Sequence, residues 1–368
     1  MNMGYDTDYD YDVVKKDDGQ RYMRVDTEKD GVQEILLHKK PEDSYSLSMF
    51  DKIGRFDSDS WESDFGLKTG FDSLDKVFNG FENGFYVIGG DSNLGKSGFI
   101  SQLAHQVISK NPDTCVLDFS LDDNIKNKIP RVIASKYRVP MNAVKRPKMY
   151  RNTESYLSLM ARRDRGLEKM KAWANAKKYM LYDSSEVNSI EDIEQEIQRF
   201  ITQVSAGKPD RPHVVVFIDS YHDLTSKESC REYLMNKWDF LAKRCANIAQ
   251  EYKIILIVTA ELKKINGNRR PIVDDLKEAV KLKYKAEAIM LVYNEVHYKN
   301  ENAGIYFERK DKATKQPVFE INVVKNKFND WKGVIFFHYF PEYALYREAS
   351  ETVTKQYLNA LYNIGVEA

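Results

Sequence analysis

The stretch Phe85-Tyr-Val-Ile-Gly-Gly90-Asp-Ser-Asn-Leu-Gly95-Lys96-Ser97 decides how this chain is read. Phe85 to Ile88 is a short apolar run that predicts a buried strand. Gly90, Asp91, Ser92, Asn93, Leu94, Gly95, Lys96 and Ser97 then satisfy G-x-x-x-x-G-K-[ST], and Phe99, Leu103 and Val107 recur behind them at helical spacing. At average glycine usage, a chance match in a chain of this length is roughly a 1% event. The chemistry explains the spacing. Glycines let the backbone curl so that successive N–H groups point at phosphate oxygens, and the helix N-terminus adds its positive dipole end. Lys96 is expected on the β/γ-phosphates of ATP, and the Ser97 hydroxyl on Mg²⁺. The bland alternative, a glycine-rich turn with an exposed lysine, leaves the strand and helix flanks unexplained.

Such a loop needs a carboxylate to help hold the metal. Val214-Val-Val-Phe-Ile-Asp219 is a β-branched run ending in Asp219, the form of a buried parallel strand that delivers an acid to the same site. Further strands are expected at Thr114–Ser120, Tyr179–Tyr182, Ile254–Val258 and Ala288–Val292. Helices are expected at Ile190–Ile201, Tyr233–Tyr252 and within 124–175. Strands alternating with helices predict an α/β domain with a mostly parallel sheet. The pattern then changes: Val318–Val324 and Gly333–Tyr339 read as a C-terminal antiparallel hairpin, and Thr352–Ile364 as a terminal helix.

The 368 residues suffice for one large domain and an appendage. Three regions are expected: an acidic N-terminal extension and linker over 1–64, the ATPase domain over 65–350, and a C-terminal helix over 351–368. Residues 1–43 read as irregular, and 44–55 as a short helix with Leu47, Phe50 and Ile53 on one face. The net charge is zero, yet residues 1–64 hold 17 acidic and 9 basic side chains, leaving the body at +8. That partition suits a polyanion partner or a plain solvated surface. No apolar run is long enough to span a bilayer, and the N-terminus has no signal-like apolar core. Cys115, Cys230 and Cys245 lack C-x-x-C spacing, which fits a reducing cytoplasm and no zinc site. His105 and His213 have no metal-spaced partner and read as structural. The cluster Phe336, Phe337, Tyr339, Phe340, Tyr343 and Tyr346 reads as core, with stacking on a base as the alternative.

The flanks of the loop resemble DnaB-type replicative helicases. TGFDSLDKVFNGFENGFYVIGGDSNLGKS (69–97) is similar to the family's entry to its ATPase motor, VLDFSLDDN (116–124) to its F-S-L-E-M segment, and VVFIDSYHDL (215–224) to its I-D-Y-L-Q strand. VTAELKK (258–264) resembles S-Q-L-N-R, RRPIVDDLKEAV (269–280) resembles K-R-P-x-x-S-D-L-R-E-S-G, and VVKNKFNDWKGVIFFHY (323–339) resembles the family's final segment. These blocks occur in family order. The resemblance implies a RecA-like P-loop NTPase core, a homo-hexameric ring, 5′-to-3′ movement on single-stranded DNA, ATP between subunits, and primase or a loader as partners. By position it puts the catalytic carboxylate on Asp122, the γ-phosphate sensor on Glu261, DNA contact on Lys277 and Glu278, and the finger reaching a neighbouring subunit's ATP on Lys327 with Lys325 beside it. Segment 44–55 corresponds to a helix that docks on the neighbour. Residues 1–64 are too few for the family's N-terminal helical domain, so none is expected within them.

The chain departs from the pattern at several positions: Asp122 stands for glutamate, Glu261 for a neutral amide, His222 for glutamine, Lys327 for arginine and Val280 for glycine. These departures point to a divergent member of the family, of cellular or viral origin. Two other readings fit the same residues: a RecA/RadA-like recombinase coating single strands, and a degenerate nucleotide-binding subunit with a scaffolding role.

Overall fold

The computed structural model describes residues 12–15, 21–27, 31–37, 53, 66–208, 210–227, 237–264, 269–277 and 280–362. Chain contacts divide it into two units, 1–64 and 65–368. Within the first, three strands form an antiparallel meander: β1 (Asp12–Lys15), β2 (Arg21–Thr27) and β3 (Gly31–Leu37). The expectation of irregular chain over 1–43 therefore fails across these strands. Short apolar runs there, Val13-Val14, Tyr22-Met23 and Ile35-Leu36-Leu37, are broken up by charged residues, and the overall polarity concealed them. The proposed docking segment 44–55 lies outside the described residues, apart from Ile53.

The second unit opens on α1 (Asp72–Phe78), then alternates β4 (Gly84–Gly89), α2 (Lys96–Lys110), β5 (Thr114–Ser120), α3 (Ile125–Tyr137), α4 (Met141–Lys145), α5 (Tyr156–Asn175) and β6 (Tyr179–Asp183). It continues through α6 (Ile190–Ser205), β7 (His213–Asp219), α7 (Lys237–Glu251), β8 (Ile255–Ala260), α8 (Val280–Lys285), β9 (Ala288–Tyr293) and α9 (Glu295–Lys299). β10 (Tyr306–Arg309), β11 (Lys312–Asn326), β12 (Gly333–Phe340), β13 (Leu345–Glu348) and α10 (Glu351–Tyr362) complete it.

One sheet runs β13-β12-β11-β9-β4-β8-β7-β5-β6, with β10 paired to β11. The pairs from β9 to β6 are parallel, and those among β9, β11, β12 and β13 are antiparallel. The sheet is thus mostly parallel with an antiparallel C-terminal part, larger than the single hairpin expected. β4, β8 and β9 are buried along their whole length, because helices cover both faces. One face packs Ile190, Ile193 and Ile197 of α6 and Leu241, Cys245 and Ile248 of α7 against the sheet. The other packs α1 and α2. On that second face Phe99 lies between Phe71 (centroids 5.4 Å) and Phe319 (5.1 Å), edge-on to Phe337 (5.6 Å) and Tyr346 (5.3 Å).

Because β4, β8, β7 and β5 are parallel neighbours, their carboxyl ends converge on one edge, where the chain order switches sides. That is the position at which open α/β sheets bind ligands.

His105 is buried on α2, and its Nε2 lies 3.0 Å from the Ser135 hydroxyl of α3. Ser135 Oγ donates to the Arg131 carbonyl oxygen, so it accepts from the imidazole. Burial, helped by Lys136, lowers the His105 pKa from 6.5 to about 3. The unfolded chain therefore binds a proton that the native chain refuses. The stability contributed by neutral His105 is complete above about pH 6.5 and is lost as pH falls toward 3. Urea unfolding from pH 7 to pH 4 should show His105→Gln losing less stability than the wild type, by up to about 1.4 kcal/mol per pH unit. Parallel curves for the two proteins would contradict this.

Candidate active site

The glycine-rich loop joins β4 to α2 at the converging edge. Asn93 (φ +61°) and Gly95 (φ +103°) adopt left-handed backbone, which curls the loop. A side chain at Gly95 would also meet Tyr346 Oη at 2.5 Å. That hydroxyl donates to the Gly95 carbonyl oxygen (2.6 Å), and Tyr346 stacks on Tyr339 (4.5 Å, 11°). The loop thus rests on a ring pair from β12 and β13. Of the aromatic cluster read as core, Phe336, Phe337 and Tyr346 are buried, whereas Tyr339 faces the nucleotide cleft.

The cleft has a volume of about 350 Å³. It gathers Ser92, Asn93, Gly95, Lys96 and Ser97 from the loop with Asp122, Asp219 and Glu261 from the ends of β5, β7 and β8. Gly90, Asp91 and Leu94 support the loop from behind. Lys96 Nζ donates to the carbonyl oxygens of Gly90 (2.7 Å) and Asp91 (2.8 Å), Tyr298 donates to Asp91 Oδ2 (3.2 Å), and Leu94 is buried. Burial lowers the Lys96 pKa, against the pull of Asp219, Glu261, Asp91 and Asp122. Asp122 is displaced upward, by burial first and then by Asp223, Asp123, Asp219 and Glu261. The cleft is an acidic hollow with one lysine, suited to a cation that arrives with phosphates.

Asp219 is the most tightly held group. Thr259 donates to its Oδ1 (2.6 Å), Lys128 Nζ lies 3.4 Å from its Oδ2, and the Ser97 hydroxyl bonds it as well. Burial alone would raise its pKa; Lys128, Thr259 and Ser97 outweigh that and lower it. The hydroxyl and carboxylate expected to hold Mg²⁺ are therefore adjacent, a hard-oxygen pair of the right kind. Among the described residues no cluster of three or more His, Cys, Asp or Glu could hold a metal by itself, so a Mg²⁺ held by Ser97 and Asp219 would need phosphate and water oxygens as further ligands.

Lys128 was invisible to sequence reasoning. It sits in α3 with no solvent exposure, 3.1 Å from Asp118 Oδ1 as well as against Asp219. Tyr179 donates to Asp118 Oδ2 (2.7 Å). The available signal was Asp118, an acid inside the apolar run of β5. Arg131, Met141 and Ala344, which also line the cleft, were likewise unassigned, whereas Tyr339 was read as core with base stacking as the alternative.

Lys277 stands in the next shell. Its Nζ lies 3.3 Å from Glu261 Oε2, and its backbone N–H donates to the Glu261 carbonyl oxygen (3.2 Å). His222 bridges the two: Nδ1 accepts from the Glu261 N–H (3.1 Å), so Nε2 carries the proton and donates to the Lys277 carbonyl oxygen (3.2 Å). Glu278 lies outside the described residues. Lys325 and Lys327 do not line this cleft. Lys325 bonds the carbonyl oxygens of Lys283 and Tyr284, and burial takes its pKa down to about 8. Lys327 is exposed at the end of β11, 3.9 Å from Glu287.

A glycine-rich loop between a central parallel strand and a helix, with a carboxylate at the end of a neighbouring strand, defines a P-loop nucleotide-binding protein. Residues 66–348 match the DnaB-like helicase C terminal domain, and the chain belongs to that family. It is 23% identical over 242 residues to a probable replicative DNA helicase of Trieres chinensis, covering 64% of this chain and 49% of that one. It is 19% identical over 241 residues to the replicative DNA helicase DnaB of Geobacillus stearothermophilus, with the same coverages. The chain spans about half the length of the curated relatives it matches. Its fold matches the solved ATPase domain of a phage helicase with TM-score 0.67 at 18% identity, covering 83% of this chain and 99% of that one. It also matches a DnaB-like replicative helicase solved in a study of its interactions with primase, with TM-score 0.64 at 18% identity over 82% and 67%.

If Lys128 neutralises two buried aspartates, Lys128→Met should lower unfolding free energy by roughly 3–5 kcal/mol. Adding Asp118→Leu should recover part of that loss, since one charge then remains to be satisfied. A double variant that shows the plain sum of the single losses in denaturant titration would argue against the shared charge balance.

Proposed function

We propose that this chain is the ATP-driven motor of a replicative DNA helicase, acting as a homo-hexameric ring that moves 5′ to 3′ along single-stranded DNA with Mg²⁺ as cofactor. The observation that carries the reading is the direct Glu261–Lys277 ion pair, braced by His222. It joins a residue on the nucleotide cleft to the loop expected to touch DNA, the connection a translocating ATPase requires. A recombinase or a scaffolding subunit has no stronger claim on these residues.

Within the cleft the loop amides and Lys96 bind the phosphates, and Ser97 and Asp219 hold Mg²⁺, which neutralises charge on the β/γ oxygens when bound. Met141, Tyr339 and Ala344 offer the base an apolar and aromatic wall, with Arg131 beside it. Asp122 orients the attacking water; its raised pKa makes it a better base than an ordinary aspartate, partly offsetting its shorter reach. Glu261 reads the γ-phosphate by repulsion: an arriving anion pushes on Glu261, and Lys277 answers. Lys327, with Lys325 beside it, serves a neighbouring subunit's ATP, and the single charge of Lys327 gives slower turnover than an arginine fork would. Primase or a loader completes the assembly inside the cell, and no described helix is long and apolar enough to cross a membrane.

Phosphate release from ATP should rise when single-stranded DNA is added, and Lys96→Ala should remove it while leaving the fold intact. DNA-independent turnover in the wild type, or unchanged turnover in the variant, would refute the motor.

A shared site adds a sharper outcome. Asp122→Asn and Lys327→Ala should each be nearly inactive alone, yet mixing them should restore partial turnover, because some interfaces then pair an intact Asp122 with an intact Lys327. A mixture no more active than the sum of its parts, after subunit exchange is verified, would rule the shared site out.

A further inference from the structure

The span between β5 and β6 carries a charge that the nucleotide chemistry does not use. Residues 125–178 hold sixteen Lys and Arg against three Asp and Glu, a net +13 in a chain whose total is zero. Only Lys128, Arg131 and Arg163 of the sixteen meet a carboxylate among the described residues. Most of the others stand on a lobe built from α3, α4 and α5 around Ile133, Val139, Ala143, Val144 and Leu159, while Lys177 and Lys178 lie beyond it, just before β6. Like charges crowd there: Lys136 and Lys169 both lie over the Trp173 ring (5.2 and 5.5 Å), and burial together with Lys169 lowers the Lys136 pKa. A fold gains nothing from unopposed repulsion of this kind, which is relieved when a polyanion binds.

The lobe also forms a cleft of about 540 Å³ against β12 and β13, separate from the nucleotide cleft. Arg138, Arg162 and Arg347 line it with Tyr150, Phe340 and Tyr343. Arg347 and Arg309 lie over the Phe340 ring (5.0 and 5.3 Å). Arg309 is neutralised by Asp311 and Glu342; Arg138, Arg162 and Arg347 have no carboxylate partner among the described residues. Guanidiniums interleaved with ring faces suit a chain of phosphates whose bases stack. An acidic peptide would need the cations but not the rings.

We propose that this lobe and its arginine–aromatic cleft form a second binding surface for single-stranded nucleic acid, distinct from the Lys277 loop. It does not depend on ATP, since none of the residues lining the arginine–aromatic cleft lines the nucleotide cleft. A strand held there lies on the outside of the motor domain's cleft-bearing edge and adds sequence-independent grip.

The test is fluorescence anisotropy of a labelled oligothymidylate with the full chain, without nucleotide, across a salt series. Arg138→Gln with Arg347→Gln should lower the slope of log affinity against log salt by about 1.4, from two lost phosphate contacts. Tyr343→Leu should weaken binding roughly five- to hundredfold with the slope unchanged, the signature of lost stacking. DNA-free ATPase and melting temperature should stay at wild-type values in all three substitutions. Combining the arginine pair with Lys277→Ala should lower the slope further, because the two surfaces are separate. An unchanged slope in the arginine pair overturns the proposal, as does a loss confined to polyglutamate binding, which would assign the cleft to an acidic protein. The motor reading stands or falls separately, on Lys96→Ala turnover.

Discussion

A single ammonium group, Lys128 Nζ, sits without solvent between Asp118 and Asp219. It ties α3 to β5 and β7, and Thr259 extends the tie to β8 through the other oxygen of Asp219. Burying one lysine against two carboxylates is costly unless every partner is satisfied. Here Tyr179, Thr259 and Ser97 supply the remaining hydrogen bonds. The carboxylate expected to serve the metal is thereby fixed in position before any nucleotide binds, which is the preorganisation that phosphoryl transfer rewards. The same lysine anchors the first helix of the basic lobe, so the catalytic edge and the outer charged surface share one attachment.

The departures from the helicase pattern form a connected set. Glu261 in place of a neutral amide gives Lys277 an acid to pair with, and His222 in place of glutamine accepts from the backbone of one and donates to the backbone of the other. Each substitution alone looks like decay of a motif. Together they make a continuous polar link from the cleft to the Lys277 segment, with the imidazole tautomer dictated by its two neighbours. Lys327 belongs to a different category. It is exposed and outside its own chain's cleft, so any role in ATP chemistry would have to be played at another subunit's site.

Charge is divided along the chain as sharply as chemistry. An acidic N-terminal unit, a strongly basic lobe and a cleft lined by carboxylates coexist in a molecule of zero net charge. Net charge therefore says little about this protein, whereas the placement of charge says a good deal about the polyanions it meets.

The sequence by itself determined the P-loop, the succession of strands along the chain in the α/β core, and Lys96, Ser97 and Asp219 as candidate site residues. The loop and Asp219 were legible because they follow from local periodicity and from motif spacing, whereas Asp122 and Glu261 came only from the family resemblance. The meander at 12–37 was also local, but its apolar runs are short and interrupted by charged residues in the sequence. Only the tertiary structure decided what lies beside Asp219. Lys128, Asp118, Thr259 and Tyr179 come from four elements and meet only when the sheet order β8-β7-β5-β6 is set. Along the chain a lysine on a helix reads as surface, because burial is a property of packing. The same holds for Arg138 and Arg347, more than 200 positions apart, whose common cleft exists only because the lobe packs back on β13.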